Sequence, residues 1–453
     1  MTLDINEIVD GQKMGPALLT LYAVALLTLL SDGFDLAAMG YLAPELVKEW
    51  GLSPAGMVPA FSAGIIGMMI GGPVLGILGD KHGRKRVIIG GLIGIGVTTL
   101  ATMAARSVAD LVVLRFLTGI MLGGVLPNTI ALVAEVTPRF RRGKVLIAIG
   151  LGIVIGIALP GLVSAWLIPL FGWRALLLVG GLLPIIVAIA AMVLVPESMK
   201  YLLVHGDRDD EVRAIARRFR PDLPIDETTR ITLPPEVPTS TASSLKLLFA
   251  GGLALVTPLL WFCQAAAQMA NFFSLTWLPT LLQSAGASTA DASLGASLFA
   301  IGGLLGGLAL MFVIDRCGVV PLVVLFVLGT PLVAMLTNPG VSPPWQAAII
   351  AGAGLCVTGL NIVLVAVLGI IYPTAIRSMG TGFTQAAGRV GALAAPIVGG
   401  LLIDLKVPLE QLTLAPAGLL ALGAVASSVL TWRCYRAFGG IHLTEFPLPA
   451  TAI

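Results

Sequence analysis

Residues 76–86 read Gly-Ile-Leu-Gly-Asp-Lys-His-Gly-Arg-Lys-Arg and join two apolar segments, 56–79 and 86–105. Each segment is long enough to cross a bilayer as an α-helix, which requires about 20 residues. The glycines let the first of these helices approach a neighbour closely. Asp80 stands where that helix ends, and a carboxylate there can pair with an arginine in one conformation only, which biases a two-state equilibrium. The alternative is an ordinary short basic loop between two spans.

The rest of the chain has the composition of a membrane protein. Of its 453 residues, 57% are hydrophobic and 11% are charged. Twelve apolar segments of helix length follow one another along the chain, at 17–41, 56–79, 86–105, 109–134, 144–169, 173–195, 247–283, 290–314, 319–338, 344–372, 380–404 and 412–436. The sequence therefore predicts an all-α integral membrane protein with 12 transmembrane helices. The seventh segment is longer than one crossing needs, so we expect it to tilt or protrude.

One long polar stretch divides the twelve segments into two sets of six. We expect a six-helix bundle over 1–197, a cytoplasmic linker over 198–246, and a second six-helix bundle with a cytoplasmic tail over 247–453. Within the linker, the charged residues 207–219 predict a short surface helix. Residues 221–244 are rich in proline, threonine and serine, as linkers are.

Basic residues are distributed unequally between the two faces of this arrangement. With the termini and the linker on one side, that side collects 21 Lys and Arg against 4 on the other, and Arg115 and Arg389 lie inside the membrane. By the positive-inside rule both termini are cytoplasmic. The sequence predicts a multi-pass protein of the plasma membrane.

A weak internal repeat relates the two halves. Asp-Lys-x-Gly at 80–83 recurs as Asp-Arg-x-Gly at 315–318, and Pro-x3-Arg-Gly at 138–143 recurs as Pro-x3-Arg-x2-Gly at 373–380. Both pairs occupy equivalent places, after the second and fourth segments of each half. This is the pattern of a parallel 6+6 repeat.

Two acids lie within the first apolar segment. Asp32 and Asp35 are three residues apart and so share one helical face. Each costs about 2.5–3.5 kcal/mol at the centre of a membrane helix, so an intramembrane acid indicates a functional site. We expect both to take part in proton coupling. The alternative is that they lie at a buried helix end, or only pair with a basic side chain that holds helices together.

The fourth segment carries two further charges. Arg115 is a guanidinium inside a helix, and such a group needs a partner or an anion. It either tunes the proton affinity of a carboxylate or forms a fixed structural pair. Glu135 closes the same segment just before the basic cluster 139–144, and an interface salt bridge to that cluster is favoured over a direct role with substrate.

Polar side chains share helical faces in the seventh and eleventh segments. In the seventh, the stripe and the residues after it comprise Trp261, Gln264, Gln268, Asn271, Phe272, Phe273 and Trp277. In the eleventh, the face comprises Thr381, Gln385 and Arg389, and Asn361 of the tenth segment can add a hydrogen bond. Amides beside aromatic rings suit a planar organic ligand, and a guanidinium suits bidentate carboxylate recognition. The alternatives are ordinary packing for the Phe pair and, for Arg389, a permanent pair with Asp32 or Asp35.

Nothing in the sequence favours catalysis. The four cysteines form no CxxC pair, and all three histidines lie outside the apolar segments. No nucleophile–base pair, metal cluster or phosphate loop supports an enzyme, and no appended domain supports a receptor. We expect no cofactor and no metal, with protons as the coupling ion, no nucleic-acid partner, and a monomer in contact with membrane lipid.

The stretch 76–86 closely resembles the signature loop of the major facilitator superfamily. Arg-x-x-x-Gly at 115–119 resembles its second motif, and Pro-Glu-Ser at 196–198 resembles that of sugar porters and their organic-ion relatives. More narrowly, the chain resembles the bacterial aromatic acid:proton symporters in Asp-Gly-Phe-Asp at 32–35, the run from 115 to 128, Asp-Arg at 315–316 and the residues from 372 to 389.

That narrower resemblance implies proton-coupled uptake of benzoate-type acids, for catabolism, by alternating access around a midplane site. The residues it implies for transport are Asp32, Asp35, Arg115, Glu135, Asp315, Arg377 and Arg389, and the signature loops add Asp80, Arg84 and Arg142. Two rivals remain open. A sugar, polyol or other organic-anion porter would share the Pro-Glu-Ser run, and a drug/proton antiporter would share the stretch 76–86.

Overall fold

The computed structural model describes residues 2–204, 208–232, 244–338, 340–373, 376–408 and 411–438. Its helices are α1 (Ile5–Asp10), α2 (Pro16–Trp50), α3 (Val58–His82), α4 (Arg84–Thr102), α5 (Val108–Val136), α6 (Arg139–Phe171), α7 (Arg174–Leu194), α8 (Met199–Val204), α9 (Asp209–Phe219), α10 (Ser244–Leu247), α11 (Leu253–Ser284), α12 (Thr289–Cys317), α13 (Val320–Ala334), α14 (Pro343–Ile371), α15 (Arg377–Asp404) and α16 (Leu414–Phe438). A short 3-10 helix (Pro54–Met57) and two short strands, β1 (Thr2–Asp4) and β2 (Arg230–Thr232), complete it.

Each predicted apolar segment overlaps a different one of the helices α2–α7 and α11–α16. Within the described residues, eleven of these helices are long and apolar enough to cross a membrane. Helices suit this setting because all their backbone groups bond internally, where lipid offers no partner. The all-α membrane class is confirmed. The remaining helix, α13, has only 15 residues, so the count of twelve crossings stays a prediction.

The start of the seventh segment lies outside its helix. α10 ends at Leu247, a turn covers residues 248–252, and α11 begins only at Leu253, so the first residues of the predicted segment 247–283 precede its helix. Glycine adopts the positive φ of 54° found at Gly251 without strain. The extra length therefore forms a turn before the span.

The chain separates into two compact units. The first contains Met1–Ala38, Ala63–Ile157 and Arg174–Pro238, and the second contains Met39–Ser62, Ala158–Trp173 and Thr239–Ile453. The dividing points fall inside α2, α3 and α6, so these helices contribute to both units. The domain limits expected from the polar stretch at 198–246 remain a prediction.

The second unit joins the ends of early helices to later ones. Gly40 of α2 lies against the backbone of Leu275 in α11. The hydroxyl of Ser297 in α12 donates to the carbonyl of Ala158 in α6 at 3.0 Å. Close helix contacts of this kind place α11, α12, α14 and α15 in one packed group.

The polar stretch is more ordered than a linker. Helix α9 confirms the predicted surface helix from residue 209 onward. Within 221–232, expected to be linker, β2 pairs in parallel with β1 at the start of the chain. Hydrogen bonds from Thr229 and Thr228 lower the pKa of Asp226, just before β2, to about 2. Three-residue strands are too short for alternation to reveal them, which is why the sequence missed this pair. Residues 233–243 lie outside the described residues.

Candidate functional site

Asp32 and Asp35 are buried in α2, with 7% and 2% of their surface exposed. The carboxylate of Asp35 accepts a hydrogen bond from the hydroxyl of Thr99 in α4 at 2.7 Å. Its second oxygen accepts from Nη1 of Arg115 in α5 at 3.2 Å. Three helices of the first unit therefore meet at one carboxylate.

Arg115 is 5% exposed, so the ion pair with Asp35 is removed from solvent. The Nε and Nη2 groups of Arg115 have no hydrogen-bond partner within the described part of the chain. Next to it, the hydroxyl of Thr118 donates to that of Thr98 at 2.8 Å. A buried pair of this kind is held in place chiefly because separating it would leave an uncompensated charge in the interior.

The pair of acids depends on a close approach between α2 and α6. A methyl group on Gly33 would overlap the backbone carbonyl of Ile153. Only glycine lets the two helices pack at this distance.

We expect Gly33→Ala to lower the free energy of unfolding by about 1–3 kcal/mol, because α2 and α6 must separate. Thermal unfolding of the detergent-solubilised protein measures this. Gly90→Ala in α4 is the control, since the space beside Gly90 is open and alanine is the better helix former. A Gly33→Ala protein as stable as the control would contradict the close approach.

An amide cluster lies in the second unit. Gln264 of α11 is 1% exposed, and its amide nitrogen donates to the side-chain oxygens of Asn361 in α14 at 3.4 Å and of Gln385 in α15 at 3.3 Å. The sequence placed Gln264 and Gln385 on polar helix faces and offered Asn361 as an additional hydrogen-bonding residue, and the structure brings the three of them together.

Aromatic side chains border this cluster. Trp261, one turn before Gln264, stacks on Phe383 with ring centroids 6.0 Å apart. Farther along α11, Gln268 and Asn271 are half-buried and Phe272 is buried. Trp277 is fully buried and packs on Phe61 at 5.9 Å, which is the position of a core residue. Its expected contact with substrate stays a prediction.

The predicted cations of the second half lie on α15. Arg389 is half-buried, four residues after Gln385 and so on the same face. Arg377 begins the helix, and its Nε donates to the carbonyl of Tyr372 at 3.2 Å. The side chain of Asp315 lies outside the described residues.

The stretch 76–86 carries a network of charges. Nη1 of Arg84 lies 2.9 Å from Glu135, and Nη2 lies 3.4 Å from the exposed Asp80. Ser198 donates to the other oxygen of Glu135, and the backbone nitrogen of Lys85 donates to Glu197 at 3.0 Å.

The partner expected for Glu135 was wrong. Its carboxylate contacts Arg84 and Ser198, whereas the neighbouring basic cluster was expected. Within that cluster, Arg142 donates to the carbonyl of Thr137 at 3.3 Å, and the chain turns at Pro138 between Glu135 and the cluster. Proximity in sequence therefore does not bring the cluster's side chains to Glu135.

Sequence reasoning missed the neutral partners. Thr99 holds Asp35, Ser198 holds Glu135, and Phe383 covers Trp261. A threonine or phenylalanine in an apolar helix has no distinctive pattern. The sequence does carry a signal for Ser198, because it belongs to the Pro-Glu-Ser run at 196–198 and its hydroxyl can donate to a carboxylate.

A family model described as Major Facilitator Superfamily matches residues 24–259 and 260–437. The chain is 31% identical to the 4-hydroxybenzoate transporter PcaK of Pseudomonas putida, over 95% of this chain and 97% of the relative. It is 32% identical to a gallate transporter of the same species, over 90% and 91%. It is 28% identical to the benzoate transport protein of Acinetobacter baylyi, over 90% and 88%.

The fold is similar to that of solved transporters. A bacterial homolog of the human lysosomal transporter Spinster, in an inward-facing and unoccupied conformation, superposes with a TM-score of 0.71. The match covers 93% of this chain and 98% of that one at 14% identity, so it concerns the fold alone.

Proposed function

The chain belongs to the Major Facilitator Superfamily, whose members are membrane transporters and not enzymes, and from this premise we propose that it imports an aromatic carboxylic acid together with protons. The observation that carries the proposal is the buried carboxylate of Asp35 between Thr99 and Arg115, inside a helix that crosses the membrane. A charged group that is buried within a membrane-spanning helix commonly handles protons or charged substrate. The benzoate-type substrate follows from the relatives named for 4-hydroxybenzoate, gallate and benzoate.

The proton step belongs to the first unit. A proton arriving from outside neutralises Asp32 or Asp35. For Asp35, the proton and the guanidinium of Arg115 compete for one carboxylate, so protonation weakens the ion pair that joins α2 to α5. Neutralising a buried charge lowers the cost of rearranging the helices around it.

The substrate step belongs to the second unit. Arg389 binds the carboxylate of the acid, and the amides and aromatic rings of α11 and α15 contact the ring. With one proton, a monoanion moves no net charge and uses the pH gradient alone. With two, transport also uses the membrane potential, at about 2.3 kcal/mol per charge per 100 mV.

The proposal includes a location and a state of assembly. The chain crosses the bacterial inner membrane many times as a monomer, with both termini cytoplasmic. The cytoplasmic position of the termini is supported by the ratio of 21 basic residues on one face to 4 on the other.

Uptake into proteoliposomes tests the function. Under an imposed inward proton gradient, we expect accumulation of at least one acid from a panel of benzoates and phenylpropionates, abolished by an uncoupler and by Asp32→Asn. Asp404→Asn, an exposed acid at the end of α15, is the matched control and should leave uptake unchanged. Failure with every acid, accompanied by sugar uptake or outward drug flux, would replace the proposal with one of the two rivals.

A further inference from the structure

The amide cluster of Gln264, Asn361 and Gln385 has an unfilled acceptor. The side-chain oxygen of Gln264 receives no hydrogen bond within the described residues and is shielded from solvent. A buried polar atom without a partner is costly and rare in a native protein. Its presence at the predicted substrate face indicates a group supplied by the ligand.

The orientation of the Gln264 amide follows from its neighbours. The amide nitrogen of Asn361 donates to the carbonyl of Val357 at 3.1 Å, so Asn361 turns its oxygen toward Gln264. The amide nitrogen of Gln264 therefore faces the oxygen of Asn361, because two facing oxygens would repel each other. The remaining atom of Gln264 is therefore an oxygen, which can accept but not donate.

The cluster is also loosely bonded. The amide nitrogen of Gln264 donates to the side-chain oxygens of Asn361 at 3.4 Å and Gln385 at 3.3 Å. Both distances are longer than the distance of about 2.9 Å in a strong N–H···O bond. Asn361 and Gln385 are half-buried, so the cluster reaches accessible surface at these two residues. A ligand group that donates a hydrogen bond can open these long bonds at little cost.

We propose that this cluster binds a ring hydroxyl of the transported acid, with the side-chain oxygen of Gln264 accepting its hydrogen bond, so that hydroxylated aromatic acids are selected over unsubstituted benzoate. The inference rests on the proposed function and narrows its substrate class. A carboxylate offers only acceptors and cannot fill this position, so the cluster contacts the end of the ligand opposite Arg389. That arginine lies one turn beyond Gln385, about 6 Å along the helix axis, which is comparable to one benzene ring with a group at each end.

Gly388 positions the acceptor. A Cβ there would come within 2.9 Å of Cγ and 3.3 Å of the amide nitrogen of Gln264. A methyl group at this position displaces Gln264 while leaving every amide of the cluster in the chain.

The test measures KM for proteoliposome uptake of benzoate, 4-hydroxybenzoate, 4-methoxybenzoate and 4-aminobenzoate. For the unmodified protein we expect a KM for 4-hydroxybenzoate about tenfold to a hundredfold below that for benzoate. 4-Aminobenzoate, whose amino group donates, should share the preference. 4-Methoxybenzoate keeps the oxygen but has no donor, and should show no preference over benzoate.

Gln264→Met should remove the preference by raising the KM for 4-hydroxybenzoate to that for benzoate, because the contact with the hydroxyl is lost. Gln283→Met, near the end of the same helix, is the control and should keep the preference. If Gln264→Met does not fold, Gly388→Ala replaces it, with Gly382→Ala as control because the space beside Gly382 is open.

Two failures are distinguishable. Equal KM values for benzoate and 4-hydroxybenzoate, or a preference that survives Gln264→Met and Gly388→Ala, overturn this inference and leave the proposed function standing. Uptake of no aromatic acid by the unmodified protein overturns both.

Discussion

Replacing Asp35 by asparagine is expected to abolish accumulation of substrate against its gradient and to destabilise the protein. The variant leaves Arg115, which is 5% exposed, as a buried charge without its carboxylate. Removing one partner of a buried pair costs about 3–5 kcal/mol. Thermal unfolding and uptake under an imposed proton gradient measure the two effects.

The double variant Asp35→Asn, Arg115→Gln separates these effects. It removes both charges, so we expect stability to recover most of the loss. Accumulation should stay absent, because no carboxylate remains at position 35 to take the proton, while exchange of substrate across the membrane persists. Thr99→Val removes only one hydrogen bond to Asp35 and should cost about 1 kcal/mol. Proton-driven accumulation by the double variant would show that Asp35 is structural and would leave coupling to Asp32.

For the ion pair of Asp35 and Arg115, the sequence predicts the charged residues but does not predict that they contact each other. Spacing places Asp32 and Asp35 on one helical face. Because an unpaired charge is costly in the membrane, the sequence also predicts that Arg115 has a partner. Which acid it meets depends on how α2 and α5 pack, and the two residues are 80 positions apart. Local patterns contain no information on that packing.

The helices themselves were predictable because lipid requires long apolar segments, and each of the twelve segments overlaps a different one of the helices α2–α7 and α11–α16. The failures occurred where the chain leaves the lipid. The pairing of β1 with β2 and the partner of Glu135 both depend on tertiary contacts of short segments outside the apolar runs. Hydrophobic periodicity gives no information about the tertiary contacts of these segments.

The same distinction applies to the amide cluster. Helical spacing identified polar faces on α11 and α15, with Gln264 and Gln385 among their members. The structure adds that these faces meet, and that their meeting leaves one oxygen unfilled. The chemical preference of the cluster, for a donor and against an anion, follows only from this second fact. Because of this preference, the carboxylate of the ligand must be bound by a group outside the cluster. Arg389 is a cation on the same face of α15 as Gln385.

Arg389→Lys is therefore expected to raise the KM for the aromatic acid about tenfold to a hundredfold with little change in kcat. Lysine keeps the charge but loses the planar pair of donors that fits a carboxylate, and a hydrogen bond to a charged group contributes about 1.5–3 kcal/mol. Arg389→Gln also loses the charge and should abolish uptake. Arg436→Lys, at the exposed end of α16, is the matched control.

An uncharged competitor identifies the contact as one with the carboxylate. Benzamide, in which a neutral amide replaces the anion, should inhibit the unmodified protein and the Arg389→Lys variant with similar, weak potency, because neither forms the bidentate pair with it. If benzoate loses affinity in the variant and benzamide does not, the lost interaction lies at the carboxylate. Equal losses for both competitors would instead mean that Arg389 shapes the second unit through its packing, and the carboxylate would have to be bound by another residue.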